Sequence, residues 1–194
     1  HSQTIQVFAC FDNEEVGSST KQGAASTFLY DTLYRIHHHL FQDDEDFYRA
    51  VASSFMLSGD NAHAVHPNHP EKTDQQNGVY MNQGIVVKSH AGQKYTSDAL
   101  SIAVLKDLCE KAGVPLQFFA NRSDMLGGST LGNIAMSQVS MNCVDIGLAQ
   151  LAMHSSYETA GIKDSYDMIK VIEEFYNSHI QVVKDGYVIV DKEG

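Results

Sequence analysis

Basic residues are scarce in this sequence. Lys and Arg total 13 against 24 Asp and Glu, which leaves a formal net charge of −11 at pH 7. A surface of this sign repels the phosphate backbone of nucleic acids and the headgroups of an anionic membrane. The composition therefore argues against a nucleic-acid partner and against a membrane-surface partner.

Proline and cysteine are also rare, with 3 of each among 194 residues. With so few prolines and 43% hydrophobic residues, the composition is that of an ordinary globular domain. The cysteines, Cys10, Cys109 and Cys143, are far apart, lie in apolar runs and form no CxxC pair. This pattern predicts buried, reduced thiols in a cytoplasmic protein. Continuous apolar runs of about 18 residues, which a membrane helix needs, are lacking too.

Strand-like and helix-like segments alternate along the chain. Buried strands are predicted at 4–10, 55–57, 84–90, 116–121 and 141–148. Amphipathic helices are predicted at 21–40, 44–54, 97–113 and 164–180. Ser97 or Asp98 would cap the third helix and Gly113 would end it. Such alternation predicts one α/β domain with a mostly parallel sheet and helices on both faces.

Polar clusters follow several of the predicted strands. They are Glu14-Glu15, the loop from Asp60 to His69, the segment from Lys88 to Tyr95, the glycine-rich loop 125–133 and the segment around His154. In sheets of this type the functional groups gather on the loops that leave the carboxyl ends of the strands. We therefore expect these clusters to meet at one edge of the sheet.

The adjacent pair Glu14-Glu15 raises a question of charge, because two neighbouring carboxylates repel each other. A solvated loop is the ordinary explanation. Yet a set of Glu14, Glu15, Asp60 and His154 at one edge supplies the oxygen and imidazole ligands that a divalent ion prefers. One glutamate would then bind metal, and its neighbour would act as the base that takes a proton from water.

The other polar loops are open to more than one interpretation. His63, His66 and His69 follow Asp60 in a loop with two prolines, and such a loop is either solvated or metal-binding. Lys88 ends an apolar strand, where it either reaches water or faces an anionic partner. The glycine-rich loop lacks the terminal lysine of a phosphate-binding loop, so close passage of its backbone beside a substrate is the better explanation.

Five motifs in order resemble the catalytic domain of the aspartyl aminopeptidases. They are FDNEEVGS with QGA, SGDNAHAVHPNH, VKSHAGQKYTSDA, MLGGSTLGN and AMHSSYETAG. The resemblance implies a three-layer α/β/α fold of the zinc-exopeptidase type and a cytoplasmic enzyme with two zinc ions. It also implies removal of N-terminal Asp or Glu from peptides, and a homo-oligomer that is usually a dodecamer.

The resemblance also implies roles for individual residues. Glu14 matches the general base and Glu15 a ligand of one metal. Asp60 matches a ligand of the other metal, and His154 shares the metal of Glu15. The positions that contact substrate in this family correspond to His63, Lys88 and Tyr95.

Two features of the family have no counterpart in this chain. The family has a histidine in an HxD motif and a metal-bridging aspartate before the glutamate pair, whereas residues 1–13 offer only His1 and Asp12 in other contexts. An assembly insert domain is also absent, and residues 179–194 match no part of the family. We therefore expect residues 1–194 to be the C-terminal portion of the catalytic domain, with an incomplete metal site and poor activity. A metallo-hydrolase of acylated amino acids and a non-catalytic assembly domain are the alternatives.

Overall fold

The computed structural model describes residues 4–191, so residues 1–3, including His1, and residues 192–194 lie outside the described range. Its helices are α1 Phe28–Leu40, α2 Asp44–Ala52, α3 Ala99–Ala112, α4 Leu131–Met136 and α5 Ile162–Asn177. Its strands are β1 Phe55–Gly59, β2 Ala62–His63, β3 Ile85–Ser89, β4 Leu116–Ala120, β5 Asn142–Gly147, β6 Ala149–Leu151, β7 Thr159–Ala160, β8 Ser178–Val183 and β9 Gly186–Asp191.

The main sheet has the strand order β1-β5-β3-β4. The β1–β5 and β3–β4 pairs are parallel, whereas β3 and β5 run antiparallel, with Val87 opposite Ile146. The predicted α/β class is confirmed, and the sheet, expected to be mostly parallel, is mixed. A second sheet, β2-β6-β7, is formed by strands that follow β1 and β5 in the chain, with β2 and β6 parallel and β6 and β7 antiparallel.

Each face of the main sheet carries its own part of the core. On one face Val87, Val144 and Ile146 pack with buried residues of α3 and α5. Because side chains alternate along a strand, Val86 and Phe119 face the other way and pack with Tyr95 and Ala149. Helix α4 also lies on this second face, so helices cover both sides of the sheet, as predicted.

The caps of α3 follow the predicted pattern. The Asp98 side chain accepts a hydrogen bond from Ser101 N at 2.7 Å, and the Ser101 hydroxyl in turn accepts from Asp98 N at 2.9 Å. Gly113 ends the helix with φ 64°, a left-handed conformation that glycine adopts without a Cβ clash. No helix of the described range is long and apolar enough to cross a membrane.

The predicted strand at 4–10 is wrong. These residues form no strand, and Ile5, Val7 and Phe8 are 63%, 44% and 80% exposed. A strand needs a neighbour to satisfy its backbone groups, and no described strand runs beside this segment. Cys10, predicted to be buried with it, is exposed, whereas Cys109 and Cys143 are buried as predicted.

Two further segments differ from the sequence prediction. Helix α1 begins at Phe28 rather than at residue 21. Residues 21–27 form turns instead, and Ala25 N donates a hydrogen bond to Ser18 O, in the loop that carries Glu14 and Glu15. The chain after α5 forms an antiparallel hairpin of β8 and β9. The Tyr187 ring of this hairpin packs edge-on against Phe55.

Candidate active site

The glutamate pair lies on one turn of 3-10 helix, Glu14–Val16. Asn13 enters this turn with φ 60° and Gly17 leaves it with φ 102°, so both ends use the left-handed region. Gly17 N donates to Glu14 O at 2.9 Å, and Ser18 N donates to Asn13 O at 3.0 Å. These bonds hold the two glutamates in a tight loop, from which their side chains reach one cavity.

That cavity has a volume of about 300 Å³ and lies at the sheet edge. The four residues predicted from sequence as base or metal ligands line it together: Glu14, Glu15, Asp60 and His154. Glu15 Oε2 lies 3.0 Å from His154 Nε2, and His154 N donates to Glu158 Oε1 at 2.7 Å. His154 itself has φ 64°, an uncommon conformation for a residue with a Cβ.

The surroundings of Glu14 favour its protonated form. Partial burial raises the pKa of Glu14, and the nearby charges of Asp60 and Glu15 raise it further, while His154 opposes them. A carboxyl group with a raised pKa takes and returns protons more readily near neutral pH. The geometry therefore suits Glu14 to proton transfer.

Asp60 follows β1 and is held by the backbone of β5. Its N–H donates to Ile146 O at 2.8 Å. A Cβ at Gly147 would lie 2.0 Å from Asp60 O, so the two chains can approach this closely only because residue 147 is glycine. Burial raises the pKa of Asp60, and the charge of Lys88 opposes that shift.

Lys88 and Tyr95 lie next to Asp60 on the second face of the sheet. Lys88 Nζ is 3.7 Å from Asp60 Oδ2, donates to Asn61 O at 3.0 Å and lies 5.1 Å from the centre of the Tyr95 ring. Lys88 is only 3% exposed. Burial lowers the pKa of its ammonium, whereas the Asp60 and Asp145 carboxylates favour the charged form. Lys88 thus faces anionic groups rather than open water.

His63 lies apart from the glutamates, at the end of β2. It lines a second cavity, together with His66. Partial burial lowers the pKa of His63, and the nearby His154 and Lys88 lower it further. His63 is therefore suited to act as a neutral donor or acceptor beside the first cavity.

Asp145 is a buried carboxylate behind the site that the sequence interpretation did not single out. It is 0% exposed on β5, and its Oδ2 accepts from Thr96 N at 2.6 Å and from Thr130 Oγ1 at 2.8 Å. Thr96 follows Tyr95, and Thr130 caps α4 after the glycine-rich loop. Asp145 thus ties both loops to the sheet. In the sequence, Asp145 could have been recognised as a candidate because it is a charged residue inside the apolar run NCVDIG.

The donor atoms at the cavity only partly match a zinc site. Oxygen and imidazole donors are the types that zinc prefers, and Glu15 and His154 are already in contact. A zinc ion needs at least three protein ligands, however, and within residues 4–191 no group of three His, Cys, Asp or Glu side chains is arranged to hold one. The described chain therefore offers part of a coordination shell.

Comparison with known proteins identifies the family. Residues 1–176 match the family described as aminopeptidase I zinc metalloprotease (M18). The chain is 53% identical over 176 residues to the probable M18 family aminopeptidase 2 of Clostridium novyi, covering 91% of this chain and 41% of the relative. The chain thus spans less than half the length of this relative.

Solved structures agree with this match. Ape4, in its complex with Nbr1, is 37% identical with a TM-score of 0.80 and covers 84% of this chain, which spans 31% of Ape4. The S. cerevisiae mApe1 dodecamer is 29% identical with a TM-score of 0.75, over 86% of this chain and 36% of mApe1. The fold is thus that of an α/β exopeptidase. The chain belongs to the M18 family of zinc aminopeptidases.

Proposed function

We propose that the protein acts as a metal-dependent aminopeptidase that removes N-terminal Asp or Glu from peptides and uses two zinc ions. The observation that carries the proposal is the cavity lined by Glu14, Glu15, Asp60 and His154 in a member of the M18 family. Metallo-aminopeptidase chemistry needs carboxylate or imidazole ligands for the metal and a base for water, and this cavity has both kinds of group.

The cavity residues would divide the metal-binding roles between them. Glu15 and His154 would hold one ion and Asp60 the other, with the remaining ligands supplied from outside the described residues. Zinc, when bound, supplies a Lewis acid that polarises the carbonyl of the scissile peptide bond. Glu15 must stay ionised to bind a cation, whereas Glu14 is left free to exchange protons.

Glu14 would act as the general base. It would take a proton from the attacking water and pass it to the amine that leaves when the peptide bond breaks. Its raised pKa supports this role, because a carboxylate with an ordinary pKa near 4 holds a proton weakly at neutral pH. Burial is the largest cause of this raised pKa.

Lys88 would select acidic substrates, with His63 and Tyr95 in supporting positions. Its ammonium lies 3.7 Å from Asp60 Oδ2 in the present structure. A metal ion bound to Asp60 would offset the negative charge of this carboxylate, so Asp60 would compensate the Lys88 ammonium less. The acidic side chain of a substrate could then become the anionic partner of Lys88. An ammonium buried to this degree needs an anionic partner.

The wider setting of the enzyme is part of the same proposal. The dodecameric mApe1 structure supports a homo-oligomer, and we propose a dodecamer for the complete enzyme. Peptides would be its substrates, and the cytoplasm its location. The net charge of −11 supports the absence of a nucleic-acid partner.

A chimera provides the test, with residues 1–176 in place of the matching segment of the Clostridium novyi relative. We expect chelator-sensitive hydrolysis that favours peptides beginning with Asp or Glu over those beginning with Leu. Lys88→Met should reduce kcat/KM for Asp-peptides by roughly 10–150-fold and spare Leu-peptides, because it removes an ammonium–carboxylate contact.

Lys170→Met is the matched control, since Lys170 pairs with Asp167 at 3.1 Å on α5, which packs on the face of the sheet opposite to Lys88. It should leave both rates unchanged. An equal loss on Asp- and Leu-peptides in Lys88→Met would place Lys88 at the backbone of every substrate and contradict its role in acidic selection. A chimera that prefers Leu-peptides would contradict the acidic preference itself.

A further inference from the structure

Tyr95 lies beside the candidate site, and its neighbours hold its ring in place. It is 7% exposed, and its ring packs edge-on against His90, with ring centres 5.6 Å apart, and beside Phe119 at 6.3 Å. Lys88 Nζ lies 5.1 Å from the ring centre. These contacts fix the ring but not the direction of the hydroxyl proton, because that proton rotates about the bond between the ring and the oxygen.

Asn121, directly after β4, sets the direction of that proton. Its Nδ2 donates to the Tyr95 hydroxyl oxygen at 3.1 Å. A phenol oxygen that accepts a hydrogen bond still has its own proton to donate, and this proton then points away from the first donor. None of the described residues accepts a hydrogen bond from the Tyr95 hydroxyl. Its proton is therefore left for a bound molecule.

Gly127, in the glycine-rich loop, leaves room for the Asn121 amide. A Cβ at residue 127 would lie 2.1 Å from Asn121 Nδ2, well inside the closest approach of real Cβ atoms. The next nearest atoms, Asn121 Cγ and His90 Nε2, would be 3.3 and 3.4 Å away. The conflict would thus fall on the end of the Asn121 side chain and not on a backbone. Glycine at position 127 therefore permits the hydrogen bond to Tyr95.

We propose that Asn121 is a positioning residue for Tyr95. By donating to the hydroxyl oxygen it leaves the Tyr95 proton free for an oxygen of the bound peptide, and Gly127 keeps the Asn121 amide in place. This inference rests on the proposed function for the identity of the ligand, since there Tyr95 supports Lys88 at the acidic side chain of the substrate. Side chains that bind a substrate need neighbours that hold them in the required orientation.

The surroundings of Tyr95 keep its hydroxyl protonated. Burial raises the pKa of Tyr95 most, and the Asp60 and Asp145 carboxylates raise it further, whereas the hydrogen bond from Asn121 lowers it. Lys88 and His90 are the titratable groups next to the ring. Tyr95 thus holds its proton at neutral pH and can donate it. Loss of the Asn121 hydrogen bond should raise the pKa of Tyr95 further, which provides a readout.

The geometry is tested in the chain itself by ¹⁹F NMR, with 3,5-difluorotyrosine in place of tyrosine. This label ionises closer to neutral pH than tyrosine does, and Tyr95→Phe identifies the signal of residue 95. Asn121→Leu and Gly127→Ala should each raise the pKa of residue 95, the first by removing the amide and the second by displacing it. If that pKa stays the same or falls in either variant, the inference is overturned.

Gly128→Ala is the matched control for Gly127→Ala. A Cβ at residue 128 would meet no described atom within 4 Å. The variant makes the same change one residue further along the loop without touching Asn121, so the pKa of residue 95 should be that of the parent chain. If Gly128→Ala raises this pKa as much as Gly127→Ala does, the change comes from the loop backbone, and the inference is overturned.

The role in the reaction is tested in the chimera that carries residues 1–176. Asn121→Leu and Gly127→Ala should reduce kcat/KM for Asp-peptides by about 5- to 30-fold and spare Leu-peptides, because the proton for the acidic side chain is misdirected. In a Tyr95→Phe background the same two changes should alter kcat/KM by less than about 2-fold, since Asn121 acts through the Tyr95 hydroxyl. Full additivity of the Asn121 and Tyr95 changes would overturn the inference.

The two experiments separate this inference from the proposed function. If the chimera hydrolyses no peptide, the aminopeptidase proposal fails, and the ¹⁹F titration still decides whether Asn121 directs the Tyr95 proton. If the chimera hydrolyses Asp-peptides and Asn121→Leu retains the full rate, the aminopeptidase proposal stands and the positioning role of Asn121 is wrong.

Discussion

Glu14 and Glu15 are neighbours in the chain but have different surroundings. Glu15 contacts His154 at 3.0 Å. Glu14 has a pKa raised first by burial and then by the carboxylates of Asp60 and Glu15. Neighbouring residues on a tight turn point in different directions, so one can meet a cation while the other meets water. The difference in environment is the physical basis for assigning them different roles.

The three cysteine thiols should differ in their reactivity. Burial raises the pKa of Cys109 and of Cys143 to about 12, whereas Cys10 is exposed. A raised pKa means that the reactive thiolate is rare below it, about 10⁻⁴ of the total at pH 8. We expect iodoacetamide at pH 8 to modify Cys10 first, with Cys109 and Cys143 reacting only in denaturant or far above pH 8. Peptide mass mapping against time measures this order, and rapid native modification of Cys143 would contradict the burial.

At the scale of elements, helix α3 and strand β3 were predictable because their signals are local. Apolar periodicity, the Asp98 cap and the Gly113 stop all lie within the segment. The apolar run IVV likewise specifies a strand buried on both faces, as observed for Ile85–Val87.

Other elements depend on partners that a local pattern does not show. The run 4–10 has strand propensity, yet it forms a strand only beside another strand. The antiparallel pairing of β5 with β3 depends on the path of the chain between them. A pattern of apolar residues does not show whether two strands run parallel or antiparallel. The hairpin Ser178–Asp191 was not predicted, because residues 179–194 match no motif of the family.

Asp145 supports a prediction about how elements are tied together. Its carboxylate accepts from Thr96 and Thr130, which anchor the Tyr95 loop and α4. Asp145→Ala should lower the free energy of unfolding of this chain by about 2–4 kcal/mol, because it leaves buried donors without an acceptor. It should also speed amide hydrogen exchange in residues 90–97 and 125–133. Urea unfolding and hydrogen exchange measure both effects.

Asp107→Ala is the matched control for Asp145→Ala. Asp107 Oδ2 pairs with Lys111 Nζ along α3 at 3.2 Å, and the two side chains are 44% and 28% exposed. The expected loss is within about 1 kcal/mol, because the ion pair is partly solvated and joins residues of one helix. If both variants unfold at the same urea concentration, Asp145 does not tie the two loops to the sheet.

The candidate site was partly accessible to sequence reasoning. Asp60 and His154 are far apart in the chain, but each follows a strand, and the rule for sheet edges brings them together. Glu14 reaches the same cavity from a loop that follows no described strand. Gln150, Glu158 and Asp145 were missed, because a polar residue beside a strand carries no sign of which cavity it faces. The structure supplies that information through contacts between distant segments.

At the scale of the whole molecule, the chain represents 41% of the length of its Clostridium novyi relative. Within residues 4–191 Glu15 and His154 are in contact, but no set of three metal donors is assembled. With ample zinc, we expect the isolated chain to hydrolyse Asp-peptides at least about 10²-fold more slowly than the chimera, since loss of ligands weakens metal binding and activity. Chelator-sensitive turnover by the isolated chain at the rate of the chimera would show that its metal site is complete.

The most direct test of the account compares Glu14→Gln and Glu15→Gln in the chimera, by zinc content and by turnover of an Asp-peptide. Glu14→Gln should retain zinc while losing at least about 10²-fold in kcat, the usual effect of removing a general base. Glu15→Gln should lose zinc itself, because an amide is a weaker ligand than a carboxylate. If the two variants lose zinc equally, or if Glu14→Gln keeps full turnover, the assignment of base and ligand to this pair is wrong.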